Sequence, residues 1–284
     1  MAEATTDLER EAASQAAPEQ ESALQERFDR RELVPWVVFL AGFGLYPLLF
    51  DSPYLHNLGV LTCLYALMAT GWNLLGGFTG QISLGHAMFF GVGAYAAAVG
   101  GGKLGLNPWA SIVIGAALAV ALALALGGPV FRLRGHYFAI ATIALGEIMR
   151  VVFLNWEWVG GASGLSIPLQ QDSLAELQFS GRQKWEYYYL ALLLLVLALV
   201  ATFFILRSRT GYYLIAIRED QKAAAAMGVP VTFYKQVAFA FSAVAVAVAG
   251  GFYAQYVLFV DPPSTLALLI SIQITIAAIL GGVR

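Results

Sequence analysis

The sequence predicts an all-α fold: a polytopic bundle of about eight transmembrane helices with a cytoplasmic N-terminus. Three observations predict it. Of 284 residues, 59% are hydrophobic and only 12% charged, too few charges to cover the surface of a water-soluble domain this size. Apolar runs of roughly 18–20 residues recur, enough to cross a hydrocarbon layer of about 30 Å. The runs are rich in Leu, Ala and Val, and in lipid only helices or closed barrels satisfy their own backbone groups.

Residues 1–32 carry nine carboxylates against four arginines. This polar, Ala/Glu/Gln-rich stretch cannot bury a core and reads as a disordered cytoplasmic tail. It is too long and too acidic for a signal peptide. Arg27, Arg30 and Arg31 precede the first apolar run, which places this end inside the cell. Apolar segments follow at about 33–50, 57–75, 83–100, 108–131, 136–155, 187–206, 236–258 and 266–282. With alternating crossings, Arg132, Arg134, Arg207, Arg209, Arg218, Lys222 and Lys235 all fall on the inner side. Lys103, Arg182 and Lys184 fall outside. The outer loop 156–186 is bracketed by Trp156, Trp158 and Trp185, which read as interfacial anchors. Its Gly160, Gly161 and Gly164 predict turns, and it offers a landing surface for an extracytoplasmic partner or simply a solvated loop.

Several function classes are excluded. A net charge of −2 gives no case for nucleic acid. Cys63 is the sole cysteine, so no internal disulfide forms, and it reads as a packing residue. His56, His86 and His136 lack ligand spacing, which argues against a metal. Neither a phosphate loop, a nucleophile elbow nor HExxH is present, so the chain is expected to be no enzyme and to need no cofactor.

Two stretches carry the functional reading. The first is Gly76–Tyr95, with six glycines in twenty residues. Gly80, Gln81, Ser83, Gly85, His86, Phe89 and Phe90 lie at or within the membrane boundary. One reading is a discontinuous helix beside a translocation path, its free backbone groups available to a zwitterionic solute. A close-packed glycine seam explains the same residues. Glu147 and Arg150, spaced to share a helix face, would line a polar path or lock the bundle as an ion pair, facing protein or a water-filled cavity.

The second stretch is Gly211–Lys235, within the inner loop 207–235. Its expected structure is one short helix outside the hydrocarbon. Glu219 and Asp220 would start it at the positive end of the helix dipole. Lys222 and Ala223 to Ala226, Ala224 included, would continue it. Gly228 would cap it in the left-handed conformation, and Pro230 would end it. A rigid helix between two spans is a surface on which a second protein can push.

Several motifs, in order, resemble one family. GQISLGHAMFFGVGAYAAA, LRGHYFAIATIALGEIMRVVF, GGASGL, AIREDQKAAAAMGVPVTFYKQVAFAFSA and AGGFYAQY are similar to the permeases of branched-chain amino-acid ABC importers, from about residue 57 onward. Related permeases carry urea or short amides. The resemblance implies a permease domain over 33–284, in the inner membrane and in contact with lipid. It also implies a second homologous permease, two cytoplasmic ATPase subunits and an extracytoplasmic binding protein. The EAA-like coupling helix of that superfamily would map to Arg218, Glu219, Asp220, Lys222, Ala223, Ala224 and Gly228, and leucine, isoleucine or valine would pass near Gly80–Phe90 with Glu147 close by. Family members continue beyond the LGG at 280–282, so a truncated chain is a further expectation.

Overall fold

The computed structural model describes residues 42–50, 52–133, 135–170, 172–179 and 185–282. The expected tail 1–32, and Arg134, Arg182 and Lys184, lie outside these residues. Residues 42–49 form a helix in the unit Met1–Leu49; the second unit is Phe50–Arg284, described next by itself.

Among its described residues ten α-helices succeed one another: α1 Pro53–Thr79, α2 Ala87–Lys103, α3 Pro108–Val130, α4 His136–Asn155, α5 Trp185–Arg207, α6 Arg209–Glu219, α7 Gln221–Ala226, α8 Val231–Val257, α9 Pro262–Thr265 and α10 Leu268–Leu280. Six helices among the described residues are long and apolar enough to cross a membrane: α1, α3, α4, α5, α8, and α9 taken with α10. Their bounds fall within a few residues of the expected segments, usually running further at the N-terminus. Pro53 and Pro108 sit in the first turn of α1 and α3, where a missing N–H costs nothing. Asn107 caps α3 by accepting the N–H of Trp109.

Helix α8 is the axis of the bundle: 61% of its apolar window is buried, against 11% for α5. Antiparallel α1 meets it through the Tyr256–Asn57 hydrogen bond at one end and Gly71 against Ser242 and Ala245 further along. Antiparallel α3 meets it from Gly251–Ile112 to Gly127–Gln236. Helix α2 runs parallel to α8, with His86 beside Ser242, Gly93 beside Ala247 and Gly101 beside Gln255. A Cβ on Gly93 would overlap the Ala247 carbonyl; only glycine lets α2 and α8 approach this closely.

These directions gather Arg132, Arg207, Arg209, Arg218 and Lys222 at one end of the bundle, hereafter the basic end. Lys103 lies at the opposite end, where its Nζ donates to the Trp158 carbonyl and stands over the Trp158 ring. The described residues 156–170 and 172–179 at that end carry regular structure. Two 3-10 turns, Glu157–Val159 and Gly161–Ser163, lead into β1 (Leu165–Ser166), which pairs antiparallel with β2 (Phe259–Val260). Trp109 Nε1 and Asn107 Nδ2 donate to the carbonyls of Leu174 and Ala175. The expected turns at Gly160, Gly161 and Gly164 are present, all three with positive φ.

Two expectations need correction. The span expected at 83–100 does not begin as a helix at 83, because Gly80–His86 is non-helical and α2 starts at Ala87. With 17 residues, α2 is about 25 Å long, and the non-helical chain Gly80–His86 precedes it. The stretch Gly211–Lys235, expected to hold one short helix, holds α7 where that helix was expected and also most of α6 before it. Glu219 ends α6, so its carboxylate is at the negative end of that helix rather than the positive end of the next. The break is at Asp220, whose extended backbone (φ −149°, ψ 108°) closes α6 and opens α7. Gly228 is left-handed as expected, with φ +85°.

Candidate functional site

The non-helical segment Gly80–His86 starts at the basic end, where α1 stops, and ends beside Ser242. Ser242 is the twelfth of 27 residues of α8, which puts it about 16 Å along that helix, near mid-depth. Irregular backbone at such depth persists only when protein surrounds it and satisfies its polar groups. Four helices do so here. Trp72 Nε1 on α1 donates to the Ser83 carbonyl at 2.7 Å. The Leu84 N–H donates to Thr142 Oγ1 on α4 at 3.0 Å. His86 Nε2 shares a 2.7 Å hydrogen bond with Ser242 Oγ on α8. The Ala87 N–H, first in α2, donates to Ser271 Oγ on α10 at 2.7 Å.

The packing around these bonds is close. A Cβ at Gly85 would overlap the Thr142 carbonyl. Phe89 meets Phe239 at 5.1 Å in an edge-to-face pair, and the His86 ring meets both phenylalanines edge-on. Ser83, His86 and Phe89 have no exposed surface, and Phe90 is buried. Gln81 is half-buried, and its Oε1 has no partner among the described residues. Six of the expected path residues, from Gln81 to Phe90, are therefore brought together and packed shut. An apolar hollow of about 230 Å³ lies elsewhere, between α1, α5 and α8, lined by Leu67, Leu74, Leu197, Ala201 and Val244. Glu147 stands apart from the segment, exposed on α4 and paired with Arg150 at 2.9 Å, although its neighbour Gly146 touches Gly85.

Gly80 joins the segment to the inner helices: with φ +71°, its Cβ position lies 3.7 Å from Arg218 Cγ on α6. Helix α6 docks by Tyr213 on Tyr234 of α8, ring centroids 4.7 Å apart. A small core of Ile217, Ala224 and Val231 holds α6, α7 and the start of α8 together. Lys235, buried in the first turns of α8, donates to Gln221 Oε1 at 2.9 Å. Asp220 Oδ1 accepts the N–H groups of Lys222 and Ala223 at 2.7 and 3.1 Å. Those two bonds favour the carboxylate and hold its pKa below the usual value. Glu219, Lys222, Ala223 and Gly228 are exposed, while Ala224 faces inward.

Sequence reasoning missed Ser242, Ser271, Thr142, Trp72 and Lys235. For the first four the only signal was a hydrogen-bonding group inside an apolar run, which demands a partner without saying which; Lys235 read only as one of the inner-side charges. Among the described residues no group of His, Cys, Asp and Glu could hold a metal ion.

Comparison with known proteins agrees with the motifs. The family model described as "Branched-chain amino acid transport system / permease component" matches residues 54–284. The chain is 34% identical over 230 residues, 73% of this chain and 54% of the relative, to the high-affinity branched-chain amino acid transport system permease protein LivM of Escherichia coli. It is 33% identical, with the same coverage, to the LivM protein of Salmonella typhimurium. The chain thus spans about half the length of the curated relatives it matches. No solved structure matches it. A multi-pass helical bundle with these motifs in this order, matched over most of its length, belongs to the permease component family of branched-chain amino acid transport systems.

Proposed function

We propose that this chain is a permease subunit of an ATP-binding-cassette importer that moves leucine, isoleucine or valine across the inner membrane. The basic end is cytoplasmic by the excess of arginine and lysine. Partner ATPases engage α6 and α7 through the exposed Arg218, Glu219, Asp220, Lys222 and Ala223, in the loop 207–235. A binding protein delivers substrate at the tryptophan-rich face of 156–179, and a homologous permease completes the pathway. The path follows Gly80, Gln81, Ser83, Gly85, His86, Phe89 and Phe90, closed in the state described above.

The observation that carries this reading is the link between the two polar stretches. Arg218 on the inner helix pair lies beside Gly80, where the non-helical segment begins: its Cγ is 3.7 Å from the position a Gly80 Cβ would take. A shift of α6 is delivered directly to backbone that ends at mid-depth. Movement there requires exchange of the hydrogen bonds to Thr142, Ser242 and Ser271, which are individually modest, about 1 kcal/mol net each.

The test is leucine uptake into vesicles holding the complete assembly. ATP-dependent uptake that persists with an uncoupler is expected, and Gly80→Leu is expected to leave ATP hydrolysis while abolishing uptake. Uptake by this chain alone, without ATP and sensitive to the uncoupler, would overturn the reading in favour of an ion-driven carrier. Competition by urea or short amides but not by valine would move the substrate to the related branch.

A further inference from the structure

Helices α4 and α5 are the two least buried spans, at 22% and 11% of their apolar windows, and their open faces differ in kind. On α5 the exposed side chains Leu193, Leu197, Val200, Phe203 and Phe204 are apolar throughout, as a lipid-facing stripe should be. On α4 the open stripe is Tyr137, Ile140, Ile148, Val151 and Val152, with Glu147 and Arg150 in its middle. Glu147 is the twelfth of twenty residues, about 16 Å along the helix and therefore at mid-depth. The side chains of Glu147 and Arg150 are 49% and 29% exposed.

An open carboxylate and guanidinium at that depth are costly against acyl chains, even as a pair. The same stripe is apolar above and below the pair, so a continuous water-filled lining does not suit it either. Protein satisfies both conditions. Glu147 Oε1 and Oε2 take the Nε and Nη2 of Arg150, which leaves the Nη1 edge of the guanidinium to a neighbour.

We propose that this face of α4 is an interface with a membrane helix of a second subunit, which presents a hydrogen-bond acceptor to Arg150 at mid-depth. The proposal deepens the permease reading and rests on it for the existence of a second subunit. The apolar residues supply the packing, and the ion pair sets the register along the helix axis.

The test uses Ile148→Cys and Val151→Cys in a Cys63→Ala background, in membranes containing the complete assembly, with Val200→Cys on α5 as the lipid-facing control. Thiol crosslinking to cysteines placed on the co-expressed second permease is expected to be several-fold stronger from Val151→Cys than from Val200→Cys. Both α4 positions should resist a lipid-soluble maleimide and a charged methanethiosulfonate until the second permease is omitted. Labelling by the lipid-soluble reagent in the intact assembly overturns the proposal in favour of lipid. Labelling by the charged reagent overturns it in favour of an aqueous wall. A crosslink confined to this chain overturns it in favour of the protein's own helices. Arg150→Gln should weaken co-purification of the second permease. Leucine uptake by the same membranes is scored separately, so a transport-inactive assembly that still crosslinks rejects the substrate reading and leaves the interface standing.

Discussion

The segment Gly80–His86 and the break at Asp220 look alike as sequence: polar interruptions between apolar runs. Their surroundings set them apart. The first is enclosed from Ser83 onward, with Ser83 and His86 fully buried and every hydrogen bond named above coming from another helix. The second is exposed, and its cap is local, Asp220 Oδ1 to the amides two and three residues ahead. An interruption enters the membrane when neighbouring spans supply hydroxyls to its backbone, and stays outside when its own side chains do so. Changes to the segment should therefore act through tertiary packing, and changes at the break through local helix stability.

The largest effect is expected at Gly85. Gly85→Val forces a branched side chain against the Thr142 carbonyl, and overpacking of this kind costs about 1–3 kcal/mol and sometimes more. Thermal unfolding of the detergent-solubilised protein should drop clearly; an unchanged midpoint would mean that α4 does not pack on the segment. Next comes Ser271→Ala, which leaves the Ala87 N–H buried and unpaired at a cost of about 1–3 kcal/mol. Ser271→Thr should restore most of that loss, since it keeps the acceptor, and failure of this rescue would point to packing rather than the hydrogen bond.

Smaller effects are expected at the inner helices. Gly228→Ala places a Cβ on a left-handed residue that has nothing within 4 Å, so the cost is backbone strain alone, about 1 kcal/mol. It should appear as faster hydrogen exchange in α7, with the unfolding midpoint of the bundle nearly unmoved. The smallest change concerns the Asp220 cap. Its folded pKa is depressed by the Ala223 and Lys222 amides, so its contribution is complete above the ordinary carboxyl value of 3.8. That contribution is lost as pH falls through the lower folded value. Protection of the Lys222 and Ala223 amides, taken relative to their intrinsic exchange at each pH, should fall on acidification in the wild type. Asp220→Asn should abolish this pH dependence while keeping the cap, and an unchanged acid response would refute the assignment.

The amino-acid order alone determined that the chain is a helical membrane protein and roughly where its helices lie. Apolar run length against bilayer thickness is a local property, readable without knowing what packs on what. The charge pattern was equally legible: Arg132, Arg207, Arg209, Arg218 and Lys222 gather at one end, as alternating crossings require. Gly228 could be recognised as a cap because left-handed backbone favours glycine wherever it occurs. Only the tertiary structure decided that Ser242, Ser271 and Thr142 meet one short segment, since hydroxyls on three separate helices have no common sequence signal. The same holds for the start of α2 at Ala87 instead of 83. Ser83 to His86 are held as bend and turn by bonds to the spans around them, ahead of the first helical residue. Asp220 lies between the two cases: its capping chemistry is local, yet whether it begins a helix or divides one depended on Tyr213, Ile217 and Ala224 finding their places against α8.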